Sequence, residues 1–178
     1  MPQKHIRLSD LSNRRPTSFE LVPTPEERAA VANALGILGI RKLRFAGTIA
    51  PLGGRDWRLT ADLGATVVQE CVVTLDPVAT RVDEEVVRSY LADLPEIEGG
   101  EVEMPEDDTQ EPLPDSLDLG SVMIEALSLA LPPYPRSEGA ELGEAVFAEG
   151  GVTPMRDEDT KPFAGLAGLR ENLEKKGE

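Results

Sequence analysis

The stretch that decides the fold is Asp56–Val73, DWRLTADLGATVVQECVV. From Trp57 onward, apolar or small side chains recur at nearly every second position and alternate with polar ones, which predicts a strand with one buried face. The same period resumes over residues 78–91 after a turn that contains Pro77, so the pattern predicts an antiparallel hairpin. A flat strand of this length would span about 60 Å at roughly 3.3 Å per residue. We therefore expect it to bend or break, most simply through a bulge at Gly64.

Two helices are predicted on either side of this hairpin. Thr24–Glu27 (TPEE) combines a capping box with proline at the first helical position, and Gly36 offers a left-handed cap after about Leu35. Leu119–Leu131 carries the apolar stripe of a core helix and is followed by two prolines that end it. Shorter strands are predicted near residues 6–8, 17–22 and 40–50 by their period of two.

Together these elements predict an α+β fold. We expect an antiparallel β-meander, strongly curved or barrel-like, packed with two core helices, and a loosely attached C-terminal helical tail. The predicted division is a domain over residues 1–135, which includes an acidic loop at 93–118, and a linker with the tail over residues 136–178.

Composition argues against several classes of protein. Cys71 is the single cysteine, so no internal disulfide can form, and no apolar run reaches the length of a membrane helix. The start of the chain lacks the apolar core of a signal peptide, and a cytoplasmic location is expected. The sequence has no phosphate-binding glycine loop, and its one histidine, His5, leaves too few ligands for a zinc site. We expect no cofactor, no metal, no small-molecule substrate and no enzymatic activity, and we interpret Cys71 as a small buried apolar residue.

Charge is distributed unevenly along the chain. The net charge is −15, of which residues 1–60 contribute +5 and residues 61–178 contribute −20. The acidic stretch supplies candidate contacts to a basic partner protein: Glu101, Glu103, Glu106, Asp107 and Asp108. Four cations on or beside strand faces form a candidate basic strip for RNA phosphates: Arg41, Lys42, Arg44 and Arg58. The alternative explanation for these cations is that they keep the sheet from aggregating.

Three motifs of the sequence resemble those of one known protein family. The turn around Cys71 and Pro77 resembles that family's hairpin with the pattern TLxCxRCxxPF. Asp118 and the helix that ends in LALPPYP, with Pro132 and Pro135, resemble its second motif. KPFAGLAGLR, which contains Phe163, resembles its C-terminal motif. With these three motifs the chain resembles the YceD family, the large ribosomal RNA subunit accumulation proteins.

The resemblance implies a non-enzymatic cytoplasmic factor that supports synthesis, processing or stability of 23S rRNA. It leaves two modes of action open: binding a basic ribosomal or rRNA-processing protein, or, as the alternative, contacting rRNA directly through the basic strip. The chain departs from the family at one point. Thr74 stands where many members have a second cysteine, and residues 136–139 stand where some have more, so a zinc site is not carried over.

Overall fold

The computed structural model describes residues 4–94, 109–141 and 151, nearly all of them in the first of two compact units, Met1–Ala140. The elements in chain order are β1 (His5–Arg7), a 3-10 turn (Leu8–Asp10), β2 (Thr17–Leu21), α1 (Pro25–Leu35), β3 (Gly39–Gly53), β4 (Asp56–Glu70), β5 (Pro77–Leu91), β6 (Gln110–Pro112), β7 (Ser116–Asp118) and α2 (Leu119–Ala130). The fold is α+β, as the sequence predicts. The predicted C-terminal tail lies outside the described residues.

The main sheet has five strands in the order β2-β3-β4-β5-β6. Strands β2 to β5 form the predicted antiparallel meander, whereas β6 runs parallel to β5. The edges are short, because β2 has five residues and β6 has three, and the two edge strands do not pair with each other. The sheet formed by the described strands is therefore open and is not a closed barrel, whereas its strong curvature stays a prediction.

Strand β4 runs through Gly64 without a break, so the bulge predicted there is wrong. Gly64 pairs in register with Arg44 on one side and Asp83 on the other. The register shifts lie in β3 instead, between Ile40 and Lys42 and between Pro51 and Gly53. The missing side chain of Gly64 has another use: a Cβ there would stand 2.7 Å from the guanidinium of Arg81, which occupies this space.

The helices begin where local capping chemistry sets them. At the start of α1, the Thr24 hydroxyl accepts from the Glu27 N–H and the Glu27 carboxylate accepts from the Thr24 N–H, and Gly36 closes the helix in the left-handed conformation. At the start of α2, the Asp118 carboxylate accepts from the Gly120 N–H at 2.9 Å and from the Ser121 hydroxyl at 2.9 Å. Both predicted starts are confirmed, because each depends on a few neighbouring residues.

One continuous core lies on the inner face of the sheet. Alternate residues of β4 point into it, including Leu59, Leu63 and Val67, each at most 1% exposed. Helix α2 contributes Met123 and Leu127 to the same core. Burying a side chain of this size contributes about 1.5–3 kcal/mol, so the alternation that identifies the strand also stabilises it.

Two short strands lie inside the predicted acidic loop 93–118. Strand β6 pairs with β5, and β7 pairs with β1 in a separate two-stranded sheet. The segment is therefore not loop throughout, because backbone pairing with distant strands orders its second half. Residues 95–108 of the predicted loop lie outside the described residues. Among the helices of the described part, none is long and apolar enough to cross a membrane.

Close approach of β3 and β4 requires glycine at position 47, and this gives a stability prediction. A Cβ on Gly47 would overlap the carbonyl oxygen of Thr60 and lie 2.5 Å from the Cα of Ala61. Because both are backbone atoms in the sheet centre, Gly47→Ala should lower the free energy of unfolding by about 2 kcal/mol or more, measured by chemical denaturation.

Gly39→Ala is the matched control for this substitution. A Cβ on Gly39 meets no heavy atom within 4 Å, so its effect should stay within about 0.5 kcal/mol. Equal effects of the two substitutions would contradict the close-approach explanation.

Candidate functional site

The predicted basic strip is divided by the register of the sheet. Lys42 pairs with Thr66 and Arg44 with Gly64, so these two cations lie close together on the outer face. Arg58 lies on β4 six residues before Gly64, about 20 Å away at roughly 3.3 Å per residue. Arg41 sits in the register shift beside Ile40. The structure thus brings Arg41, Lys42 and Arg44 together and leaves Arg58 apart.

Acidic side chains share the outer face with these cations. Arg44 donates to Glu20 at 2.7 Å, and Arg81 forms an ion pair with Asp83. Asp62 lies on the same face, two residues before Gly64. A cavity of about 710 Å³ lies here, and its described charged lining is Arg28, Arg41, Lys42, Arg44, Arg81, Asp62, Asp83, Glu84 and Glu85. Cations and acids are therefore mixed on this face, and its role in RNA binding stays a prediction.

The predicted partner-binding acids are outside the described residues. This holds for all five: Glu101, Glu103, Glu106, Asp107 and Asp108. Their role stays a prediction.

Sequence reasoning missed a three-residue ion network centred on Arg88. Arg88 donates to Glu111 of β6 and, at 2.9 Å, to Glu125 of α2. Burial acts to lower the pKa of Arg88, but the hydrogen bonds from its guanidinium to the two carboxylates outweigh burial and raise it. Neighbouring Tyr90 is fully covered, and burial raises its pKa. Arg88 therefore joins three elements to one another.

A sequence signal for Arg88 did exist. Its position continues the inward period of Val82, Val86 and Tyr90, so a cation is placed where the pattern predicts an apolar residue. A cation at an inward position needs acidic partners. Which carboxylates supply them depends on β6, whose pairing the sequence did not reveal.

Cys71 lies at the centre of a second site, which we call the Cys71 clasp and define as residues 69–76 and 132–137. The two segments are joined by backbone and side-chain hydrogen bonds. Gln69 Nε2 donates to the carbonyl of Pro132 at 3.1 Å, and the Val72 N–H donates to the carbonyl of Pro135 at 2.9 Å. The clasp therefore unites the first two family-like motifs, which are about 60 residues apart in sequence.

The sulfur of Cys71 accepts several hydrogen bonds within the clasp. Donors are the N–H groups of Val73 (3.5 Å) and Thr74 (3.4 Å), together with the N–H (3.4 Å) and hydroxyl (3.5 Å) of Ser137. The thiol is fully covered, as predicted. It is more than a small apolar residue, however, because the donors from Ser137 and Thr74 lower its pKa to about 6.

The donor set around this sulfur does not suit a zinc ion. Zinc in proteins takes several thiolate or imidazole ligands, and here one sulfur faces the hydroxyl residues Thr74 and Ser137. Among residues 4–94 and 109–141, no group of three His, Cys, Asp or Glu side chains is placed to hold a metal. The clasp is held by hydrogen bonds at the positions where extra cysteines would stand.

The remaining family-like residues lie at separate places. Pro77 opens β5 opposite Glu70, and Asp118 caps α2. Phe163 is outside the described residues. Pro77 and Asp118 thus mark the ends of elements.

The described residues define a small α+β protein with an open sheet, a hydrogen-bonded clasp at one end of its long hairpin and a mixed-charge outer face. The family model of YceD, the large ribosomal RNA subunit accumulation protein, matches residues 59–170, which is more than half of the chain. The chain belongs to the YceD family. No curated protein and no solved structure matches it.

The Arg88 network gives a prediction about stability. The side chain of Arg88 is 18% exposed, so Arg88→Met removes a mostly covered cation and leaves the partly covered Glu111 without this partner. The free energy of unfolding should fall by about 1–2 kcal/mol, measured by chemical denaturation. Arg81→Met is the matched control, because its pair with Asp83 is more than half exposed and should contribute almost nothing. An equal loss in both variants would show that the network does not join the elements.

The Cys71 thiol gives a prediction about pH. Its pKa is about 6 in the folded chain and about 8.5 when unfolded, so folding favours the thiolate. Stability should therefore rise with pH between these two values, and this gain should disappear as pH falls through about 6. The ultraviolet absorbance of the thiolate and denaturation at several pH values measure the effect.

Two variants test whether hydrogen bonds to the sulfur lower the pKa of Cys71. Ser137→Ala removes a hydroxyl donor and should move the titration of Cys71 upward, towards the ordinary thiol value. Cys71→Ala should abolish the corresponding pH dependence of stability. An unchanged titration in Ser137→Ala would show that the hydroxyl is not the cause.

Proposed function

We propose that this protein is a ribosome-biogenesis factor that supports synthesis, processing or stability of 23S rRNA by binding a basic ribosomal or rRNA-processing protein. The observation that carries the proposal is membership of the YceD family, whose name describes accumulation of large-subunit ribosomal RNA. The proposed factor acts by binding, without catalysis, in the cytoplasm.

Charge supports a protein partner over direct contact with rRNA. The net charge of −15 repels nucleic acid and attracts cationic proteins. Arg44, the central member of the predicted basic strip, is already paired with Glu20, and Asp62 lies close by on the same face. In the direct RNA-binding alternative, one of the four candidate cations is therefore already neutralised.

Depletion of the protein from its native host tests the proposal. The ratio of 23S to 16S rRNA should fall, and large ribosomal subunits should become scarce, because the factor supports accumulation of only the larger rRNA. Quantitative gel analysis of total RNA and gradient sedimentation of ribosomes measure both. Unchanged ratios together with normal large subunits would contradict the proposal.

Two charge-reversed variants in the same cells separate the two modes of binding. A variant with Glu106→Lys, Asp107→Lys and Asp108→Lys should fail to restore 23S rRNA if a basic protein is bound. A variant with Lys42→Glu and Arg44→Glu should restore it. The opposite result would favour direct RNA binding.

A further inference from the structure

Three apolar side chains of the Cys71 clasp are exposed to solvent. Val72 is 48% exposed, Leu75 71% and Tyr134 75%. Hydrogen bonds hold their segments against each other, because Val72 donates to Pro135, the neighbour of Tyr134, and the hydroxyls of Thr74 and Ser137 lie 3.3 Å apart. The clasp thus presents apolar surface at one end of the hairpin.

Leu75 has an unusual backbone conformation. Its φ is 63°, and it is the one non-glycine residue with positive φ among the described residues. This conformation costs an L-residue other than glycine or asparagine roughly 1–2 kcal/mol. Neither burial nor local geometry favours leucine here, since the side chain is exposed and a glycine or asparagine would fit the turn better. An exposed, strained leucine points to a contact outside the chain.

Tyr134 is held rigidly in its exposed position. It lies between Pro133 and Pro135, which restrict the backbone of the segment. The carbonyls of Pro132 and Pro135 accept the hydrogen bonds that fasten the segment to the β4–β5 turn. An apolar side chain on such a fixed backbone loses little conformational freedom when it binds a partner.

The charges near these side chains are mostly negative. Glu70, Asp76 and Glu138 are exposed acids of the clasp and its border, whereas Arg136 is the nearby cation. None of these four takes part in an ion pair among the described residues. The surface therefore complements a segment that carries both cationic and apolar side chains.

We propose that the Cys71 clasp is a docking surface for a basic, partly apolar segment of a partner protein, with Leu75 and Tyr134 as its apolar anchors and Glu70 and Glu138 as its charged rim. This inference rests on the proposed function, because it adds a second surface for the basic partner to the candidate acids at 101–108.

A short synthetic peptide of leucines interspersed with lysines and arginines is the probe, and its fluorescence anisotropy is measured with the full chain. Binding should weaken as salt is raised. It should also be lost when the lysines and arginines are replaced by glutamates, or the leucines by serines. Failure of the peptide to bind at low salt would overturn the docking surface.

Leu75→Asn separates binding from folding. Asparagine tolerates positive φ, so the thermal midpoint should stay the same or rise, whereas affinity for the peptide should fall by roughly tenfold. Tyr134→Ser should cause a similar loss. Leu52→Ser is the matched control, because Leu52 is exposed at the β3–β4 turn, at the opposite end of the hairpin, and its replacement should leave affinity unchanged. An equal loss of peptide affinity in all three variants would overturn the assignment of Leu75 and Tyr134 as anchors.

The charged rim has its own matched pair of variants. Glu70→Lys with Glu138→Lys should abolish binding, whereas Glu84→Lys with Glu85→Lys makes the same charge change on β5 and should have a much smaller effect. If both pairs weaken binding equally, net charge alone attracts the peptide, and the docking surface is overturned.

If something other than a partner protein covers the clasp, the binding and sedimentation measurements give different results. If a later segment of the chain covers the clasp, Phe163→Ser in the full chain should increase peptide binding. If a second copy covers it, sedimentation should show a dimer that Leu75→Asn dissociates. Either result overturns the proposal.

Restoring 23S rRNA in depleted cells with variant chains distinguishes failure of the docking proposal from failure of the proposed function. If depletion lowers 23S rRNA but a chain with Leu75→Asn and Tyr134→Ser restores it fully, the docking surface is wrong and the function stands. If depletion has no effect on 23S rRNA while the peptide results hold, the function is wrong and the binding surface stands.

Discussion

The backbone ladder that joins β3, β4 and β5 is the constraint on which the rest of the structure depends. Each of these strands has 15 residues, and β4 is paired along almost its whole length on both sides. If the pairing of β4 shifted by one residue, Leu59, Leu63 and Val67 would be exposed to water and polar side chains would enter the core. Burial therefore fixes the register. That register then sets everything on the other face, including the distance between Arg44 and Arg58. The position of a candidate site on this sheet is therefore a consequence of core packing.

The parts of the fold that the sequence predicts are those with a local cause. A period of two identifies the hairpin, and a capping box with a terminal glycine identifies α1, because each signal is contained in a few neighbouring residues. The parts it does not predict depend on residues far apart in sequence. Strand β6 has three residues, too few to show a period, and its parallel pairing with β5 reflects tertiary contacts such as that of Glu111 with Arg88. Gly64 was misinterpreted for a similar reason. The side chain that needs its space, Arg81, belongs to the next strand.

At the candidate site, too, local features can be predicted from the sequence, whereas features that depend on distant residues cannot. Outward positions of Lys42 and Arg44 follow from the strand period, and the structure confirms their exposure. Their electrostatic surroundings do not follow, since Glu20 reaches Arg44 from a strand more than twenty residues earlier. Similarly, the burial of Cys71 follows from the apolar pattern, but two of the hydrogen bonds to its sulfur come from Ser137 across the clasp. Sequence periodicity states which way a side chain points, whereas charge neutralisation and pKa depend on what it meets there.

A sheet that buries one face must leave the other compatible with water, and this limits where recognition can occur. The outer face meets that requirement with exposed pairs such as Arg44–Glu20 and Arg81–Asp83, in which each side chain neutralises the charge of the other. The β4–β5 turn is under a different constraint. There Cys71 is held by hydrogen bonds from two segments, so the turn is rigid without contributing Leu75 to the core. A rigid end can carry exposed apolar groups and unpaired acids without loss of the fold, because the ladder beneath it already supplies the stability. In this protein, therefore, the features that specify the fold and the features that we propose bind a partner lie in different parts of the same hairpin.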